Sequence, residues 1–315
     1  MENNSNPSVC ILLCTYNGEQ YLYQQIESIL QQEFTNWVIC ASDDGSVDST
    51  KSILQKYQNR IGNDKFHIFD GPKRGYPHNF KFAATALKQY FDYYAFSDQD
   101  DIWLPHKLNQ ATKALIGRQN TSDLAATPML YASVTNIVDS NNQFLRYSNI
   151  RRSPSFTHSL VENISGGNTM VFNRSLWKLF VSLPDHLDLI SHDWTMYQLV
   201  TGAGGIVHYD TTPSINYRQH DDNKLGTKFS FKGKSDRLVR FFKLTYKREI
   251  DININALMTQ VKHFTPSNQV SLKQFQAFRQ GGIVQRLRYM FNTKFIRTSM
   301  IENLILKLGN LFRLM

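Results

Sequence analysis

The chain has 315 residues, 41% of them hydrophobic and 19% charged, which excludes a chain disordered throughout and suits one large α/β domain with an appendage. No apolar run reaches the roughly 18 to 20 residues of a spanning helix, and the N-terminal MENNSNPS has neither the basic nor the apolar region of a secretory signal, so a cytoplasmic protein is expected. The net charge of +9 is unevenly spread: residues 1–223 hold 17 Lys and Arg against 22 Asp and Glu, whereas residues 224–315 hold 18 against 4.

An acidic body with a basic tail implies two tasks. In chain order, VCILLC (Val9–Cys14) reads as a buried parallel strand, and Gln20–Gln32 as a helix with Leu22, Ile26, Ile29 and Leu30 on one stripe. WVICA (Trp37–Ala41) is a second strand, followed by a helix capped by Ser46 or Asp48. Phe66–Phe69, a helix over Phe80–Tyr90 and the strand Tyr93–Phe96 complete the first 110 residues. The three cysteines (Cys10, Cys14, Cys40) lie in these strands; reduced buried thiols are expected, with zinc as the alternative. Met129–Val138 and Gln143–Tyr147 flank a turn at residues 139–142 and read as a hairpin. Ser165-Gly166-Gly167-Asn168 leads into a strand at Thr169–Phe172, and Ser191-His192-Asp193-Trp194 opens a helix ending near Gly202–Gly205. The shift to basic and aromatic composition near Lys224 marks a boundary, dividing the chain into 1–225 and 226–315.

Strands spaced by helices predict right-handed βαβ units and a mostly parallel sheet, whose ligands bind at the carboxyl ends of the strands. Three such ends carry chemistry: Thr15-Tyr16-Asn17-Gly18, Ser42-Asp43-Asp44-Gly45, and Ser97-Asp98-Gln99-Asp100-Asp101. An aromatic face stacks on a base, a carboxylate accepts from a pyrimidine N3–H, and a cluster of acids calls for a hard divalent cation, Mn2+ or Mg2+. Asn79, after the Gly75-Tyr76-Pro77 turn, is a candidate phosphate contact, and Gly166 and Gly167 suit a loop whose backbone approaches a ligand closely, with a plain turn as the alternative.

TYNGEQYL, SDDGSVDST, FSDQDDIWLPHKL, SHDW and YRQHDDNKLG, in that order, resemble the family 2 glycosyltransferases of GT-A fold, nearest to rhamnosyltransferase-like members of bacterial polysaccharide synthesis. The resemblance spans about residues 8–226 and implies an inverting, metal-dependent transferase. It implies that Tyr16 stacks on the nucleobase with Thr15 and Asn17 shaping its loop, and that Asp43 and Asp44 bond base and ribose. Asp98-Gln99-Asp100 matches the family's DxD, with Asp98 near ribose and ion, Asp100 on the metal and His220 a further metal or phosphate contact. Asp193 matches the general base, with helix capping as the alternative, and Gly167, Asn168 and Trp194 fall in the sugar and acceptor region. His192 departs from the Glu that many relatives carry, and the QxxRW motif of processive synthases is absent, so transfer of one or a few sugars is expected. The implied donor is dTDP-L-rhamnose, with UDP-hexoses as the alternative; the implied acceptor is a lipid-linked saccharide. A sugar-phosphate nucleotidyltransferase would need a Gly-rich basic loop after the first strand, and a nucleic-acid-binding protein would leave the acidic loops unexplained; neither is favoured.

In the tail, Ile301, Leu304, Ile305, Leu308, Leu311 and Phe312 recur at helical spacing beside Lys307 and Arg313. That pattern, together with the basic aromatic stretch Phe229–Arg248, fits a helix at an anionic membrane surface, which would place the enzyme on the inner face of the plasma membrane. Packing on the catalytic domain or on a second copy of the chain in a homodimer is the alternative.

Overall fold

A computed structural model describes residues 7–118, 126–150, 153–219 and 245–314. Seven strands form the central sheet: β1 (Val9–Thr15), β2 (Trp37–Asp43), β3 (Phe66–Asp70), β4 (Tyr93–Ser97), β6 (Met129–Ser133), β9 (Val171–Asn173) and β10 (Ile206–Asp210), in the order β10-β6-β9-β4-β1-β2-β3. Every residue of β1 and β4 is buried, as expected of strands covered on both faces. The covering helices include α1 (Leu22–Leu30), α2 (Thr50–Ile61), α3 (Tyr76–Ala86) and α4 (Lys107–Ile116). The N-cap of α2 is Ser49 and neither expected residue occupies it; Asp48, just before the cap, accepts from the Thr50 amide at 3.0 Å. The helix expected over Phe80–Tyr90 starts earlier, because Pro77 suits its first turn.

The sheet is parallel except around β9, which runs antiparallel to both β4 and β6. The chain enters β9 through a single 3-10 turn, Gly167–Thr169, beside the carboxyl end of β4, where the Phe96 amide donates to the Met170 carbonyl. That reversal carries the Gly166–Asn168 loop to the edge where ligands bind in such sheets.

A second sheet, β5-β11-β7-β8, grows out of the acidic loop: β5 (Ile102–Trp103) starts one residue after Asp101 and pairs with β11 (Ile215–Arg218). The expected hairpin is present as β7 (Asn136–Val138) against β8 (Phe144–Tyr147), but Met129–Ser133 belongs to the main sheet, so the predicted long strand breaks at Val134. Then come α5 (Phe156–Ser159), α6 (Arg174–Val181) and α7 (His192–Gly202).

The tail forms α8 (Thr245–Gln260), α9 (Pro266–Gln280), α10 (Ile283–Met290) and α11 (Met300–Leu311). Leu257, Phe264, Leu272 and Phe275 share one hydrophobic core with Phe156, Leu160 and Tyr197 of the body. The tail therefore packs on the body, and Phe229–Leu244 lie outside the described residues. No helix among the described residues is long and apolar enough to cross a membrane. The three thiols are free and buried, and burial pushes Cys40 up to about 12.

Candidate active site

The loops after β1, β2 and β4 are tied together at one edge. Asn17, in a left-handed conformation (φ 48°) that Asn tolerates better than most residues, donates its amide to Ser46 Oγ at 2.8 Å and accepts from the Val47 amide at 2.9 Å. The Gln99 side chain clamps Tyr16 on both sides, accepting from its amide at 2.8 Å and donating to its carbonyl at 3.0 Å. Gly18 makes room for this clamp, since a Cβ there would displace the Gln99 amide. The Tyr16 backbone is thus fixed while its ring stands 54% exposed, available to a flat ligand.

Asp43 is the knot between these loops. It accepts from Thr15 Oγ1 at 3.0 Å and from the Ser46 amide at 2.9 Å, with Lys51 Nζ at 3.8 Å. Asp44 turns toward the loop after β3, accepting from the amides of Lys73 at 2.6 Å and Gly75 at 2.8 Å. Both carboxylates therefore shape the pocket wall. Asn79, expected at the phosphates, is buried at 1% exposure, accepting from Ser42 Oγ at 2.6 Å and donating to the Ser42 carbonyl at 2.9 Å. A helix that begins at Tyr76 turns Asn79 toward β2 and away from the crevice.

The acidic cluster divides into two partly exposed members and one fully buried one. Asp98 and Asp100 stay partly exposed. Burial, then the charges of Asp100 and Asp193, push the Asp98 carboxyl up to about 8. Asp101 turns inward, accepting from Asn168 Nδ2 at 2.5 Å and from the Arg218 amide at 3.3 Å. Burial, then Asp100 and Asp98, raise its carboxyl well above the usual range. Facing it electrostatically is Lys107, fully buried, with Nζ 4.5 Å from the centre of the Trp103 ring and donating to the Asn168 carbonyl at 2.8 Å. Arg218, also buried, donates Nε to the Asp100 carbonyl at 3.1 Å and Nη1 to the Ser140 carbonyl at 2.6 Å. Internal cations thus support Asp101 and the loop backbone, with Lys107 acting on Asp98 as well, while Asp98 and Asp100 keep partial exposure to solvent.

Among the described residues no group of three or more His, Cys, Asp or Glu converges to hold a metal. Two carboxylates suffice where phosphate oxygens and water complete the shell, and an all-oxygen set fits Mg2+ or Mn2+. His220 lies outside the described residues.

Asp193 stands in the first turn of α7, near enough to raise the Asp98 carboxyl. Its Oδ1 accepts from the Trp194 amide at 2.7 Å. Ser191 holds the N-cap position without a side-chain cap bond, so the Asp193 carboxylate is the side chain that engages a first-turn amide, as the capping alternative expects. The His192 ring stacks on Phe80 at 3.8 Å between centroids and meets Phe96 edge-on at 4.5 Å. Burial holds the ring near pKa 4, hence neutral at ordinary pH. A Cβ on Gly167 would collide with His192 Nε2, so that glycine lets the β9 entry loop close on α7. Two further expectations shift. Asn168 serves Asp101 and Lys107 from a buried position, and Trp194 lies in the core, its indole donating to the Ser159 carbonyl at 2.6 Å, so neither presents a surface to an acceptor. Lys107 and Arg218 were missed, although both lie in motif segments, PHKL and YRQH. A lysine beside three aspartates was the available signal for the first.

Residues 10–180 match Glycosyl transferase family 2. The chain is 27% identical over 257 residues to dTDP-rhamnosyl transferase RfbG of Shigella flexneri, covering 78% of this chain and 84% of that one. A shorter match, 28% over 109 residues, 34% of this chain and 41% of the relative, is to the UDP-Glc:alpha-D-GlcNAc-diphosphoundecaprenol beta-1,3-glucosyltransferase WfgD of Escherichia coli. Among solved structures, S. aureus TarS 1-349 in complex with UDP-GlcNAc superposes with a TM-score of 0.57 at 14% identity, over 98% of this chain and 81% of that one, which shows the shared fold. With its matched segment spanning more than half the sequence, this GT-A-fold chain belongs to glycosyl transferase family 2, as a rhamnosyltransferase-like glycosyltransferase.

Proposed function

We propose that the enzyme moves L-rhamnose from dTDP-L-rhamnose, with inversion, to a hydroxyl of a lipid-linked saccharide in cell-surface polysaccharide assembly. The convergence of Tyr16, Asp98, Asp100 and Asp193 on one sheet edge carries the reading, because base platform, diphosphate site and proton acceptor then line one crevice. The likeness to RfbG supports the rhamnosyl donor, and the likeness to WfgD supports an acceptor on a lipid diphosphate.

Tyr16 stacks on the base while Asp43 and Asp44 hold the walls of its pocket. Asp193 Oδ2, the oxygen not engaged by Trp194, takes the proton from the acceptor hydroxyl. The acceptor oxygen bonds to the anomeric carbon from the opposite face as the bond to the diphosphate breaks, and the nucleoside diphosphate leaves. Asp98 and Asp100, with His220 as a further candidate, would hold Mn2+ or Mg2+, which when bound supplies positive charge at the leaving diphosphate.

The deciding experiment is donor turnover in a panel of nucleotide-sugars with Mn2+. dTDP-L-rhamnose is expected to be consumed fastest; consumption of UDP-hexoses alone would reassign the donor, and consumption of none would overturn the reading.

Two further outcomes follow from the site. Gly18→Ala drives a methyl into the Gln99 clamp and tilts Tyr16, so nucleotide Kd is expected to rise about tenfold or more by calorimetry, since base–aromatic stacking contributes about 1–3 kcal/mol. An unchanged Kd would mean that the Gln99 clamp does not set the base site. The second concerns pH. A carboxyl raised to about 8 binds its proton more tightly in the folded state, so its stabilising contribution is full below the unfolded value near 4 and is lost as pH rises toward 8. Mn2+ favours the ionised form and is expected to raise Tm more at about pH 8 than at about pH 5.5. Asp98→Asn is expected to abolish that difference, and an equal shift at both pH values would argue against Asp98 as a ligand.

A further inference from the structure

The helices α10 and α11 pack against each other and each leaves an apolar stripe in solvent. On α11 the exposed residues Ile301, Leu304 and Leu308, continued by Phe312, recur every three or four positions, while Leu306, Gly309 and Asn310 face inward. On α10 the exposed Ile283, Val284 and Leu287 are continued by Phe291, while Arg286 and Tyr289 are buried. Phe291 is 85% exposed and Ile301 73%, far beyond what scattered surface apolar residues require.

The charge around these stripes identifies their occupant. Residues 283–314 contain six Lys and Arg and one acid, Glu302, which Arg297 Nε already engages at 2.9 Å. Arg288, Lys294 and Arg313 are exposed. A second copy seated on this face would set the same surplus of cations against itself. An anionic lipid surface accepts both the cations and the apolar side chains.

We infer that the exposed face of α10 and α11 docks on an anionic membrane, with Phe291, Ile301, Leu304 and Leu308 entering the headgroup boundary. The face is fixed to the catalytic body. Arg297 Nη1 donates to the Val161 carbonyl at 3.1 Å, and the Thr298 amide donates to Glu162 Oε2 at 2.6 Å, five residues before Gly167 of the β9 entry loop. Docking would therefore hold the crevice in a set relation to the bilayer, a use that rests on the lipid-linked acceptor reading.

The full chain would be sedimented with vesicles of phosphatidylglycerol and phosphatidylcholine, and with phosphatidylcholine alone. Binding is expected to be about tenfold or more stronger with the anionic vesicles and to weaken as salt is raised. Ile301→Glu/Leu304→Glu/Leu308→Glu, all at exposed positions, is expected to lose that binding with unchanged Tm and unchanged hydrolysis of the donor. No vesicle binding by the wild type, or equal binding by the triple variant, overturns the inference. So does a wild-type dimer in light scattering that the variant converts to a monomer, which would assign the face to a second copy. Donor hydrolysis reports on the transferase reading separately, so failure of either is seen without the other.

Discussion

Asp193→Asn is expected to lower kcat by about 10^2- to 10^4-fold while leaving donor Kd within about twofold of the wild type. The substitution is a narrow one. Asn keeps an Oδ1 that accepts from the Trp194 amide, as Asp193 does at 2.7 Å, so the first turn of α7 retains its contact. What disappears is the oxygen able to take a proton, together with one negative charge beside Asp98. Since Asp193 helps to raise the Asp98 carboxyl, its loss favours the ionised form of Asp98 and is not expected to weaken cation or diphosphate binding. A loss of donor affinity as large as the loss of turnover would make Asp193 a structural residue. Single-turnover measurement alongside calorimetry distinguishes the outcomes.

The parts of this site legible in the sequence were those written within one segment. VCILLC followed by an aromatic, or WVICA followed by two acids, places a strand and its loop together, and a parallel sheet then aligns the strand ends without further information. Residues whose partners are distant in the chain were not legible. Asn79 follows a Gly-Tyr-Pro turn that looks like a phosphate loop, yet its direction is set by where α3 starts against β2. Asn168 and Trp194 sit in segments that border the crevice, but β9 enters antiparallel and α7 packs on α5, turning both side chains inward. The division of the acid cluster was hidden for the same reason, because Asp101 is paired through space with Lys107, Asn168 and Arg218. The amphipathic period of α11 was readable, whereas the second exposed stripe on α10 is evident only in the packed structure.

The largest stability effect is expected at Lys107. Its Nζ reaches the Asn168 carbonyl and stands over Trp103, and burial pushes its pKa down to about 7 against the opposing pull of Asp101 and Asp98. Lys107→Met keeps the length of the stem and the contact with Trp103 but removes the cation. Asp101, whose carboxyl burial and its acidic neighbours already hold well above the usual range, would lose the attraction of Lys107 and meet that loss by keeping its proton, while the Asn168 carbonyl would lose its donor, a cost of about 1–3 kcal/mol. Adding Asp101→Asn removes the carboxyl altogether, so a double variant that regains the lost stability identifies the attraction between Lys107 and Asp101 as its source. The coupling between the two positions in a double-mutant cycle is the quantity to measure. If the two substitutions are additive, Lys107 holds the Asn168 carbonyl by hydrogen bonding alone. Strong coupling means that an internal lysine compensates the buried aspartate of the cluster.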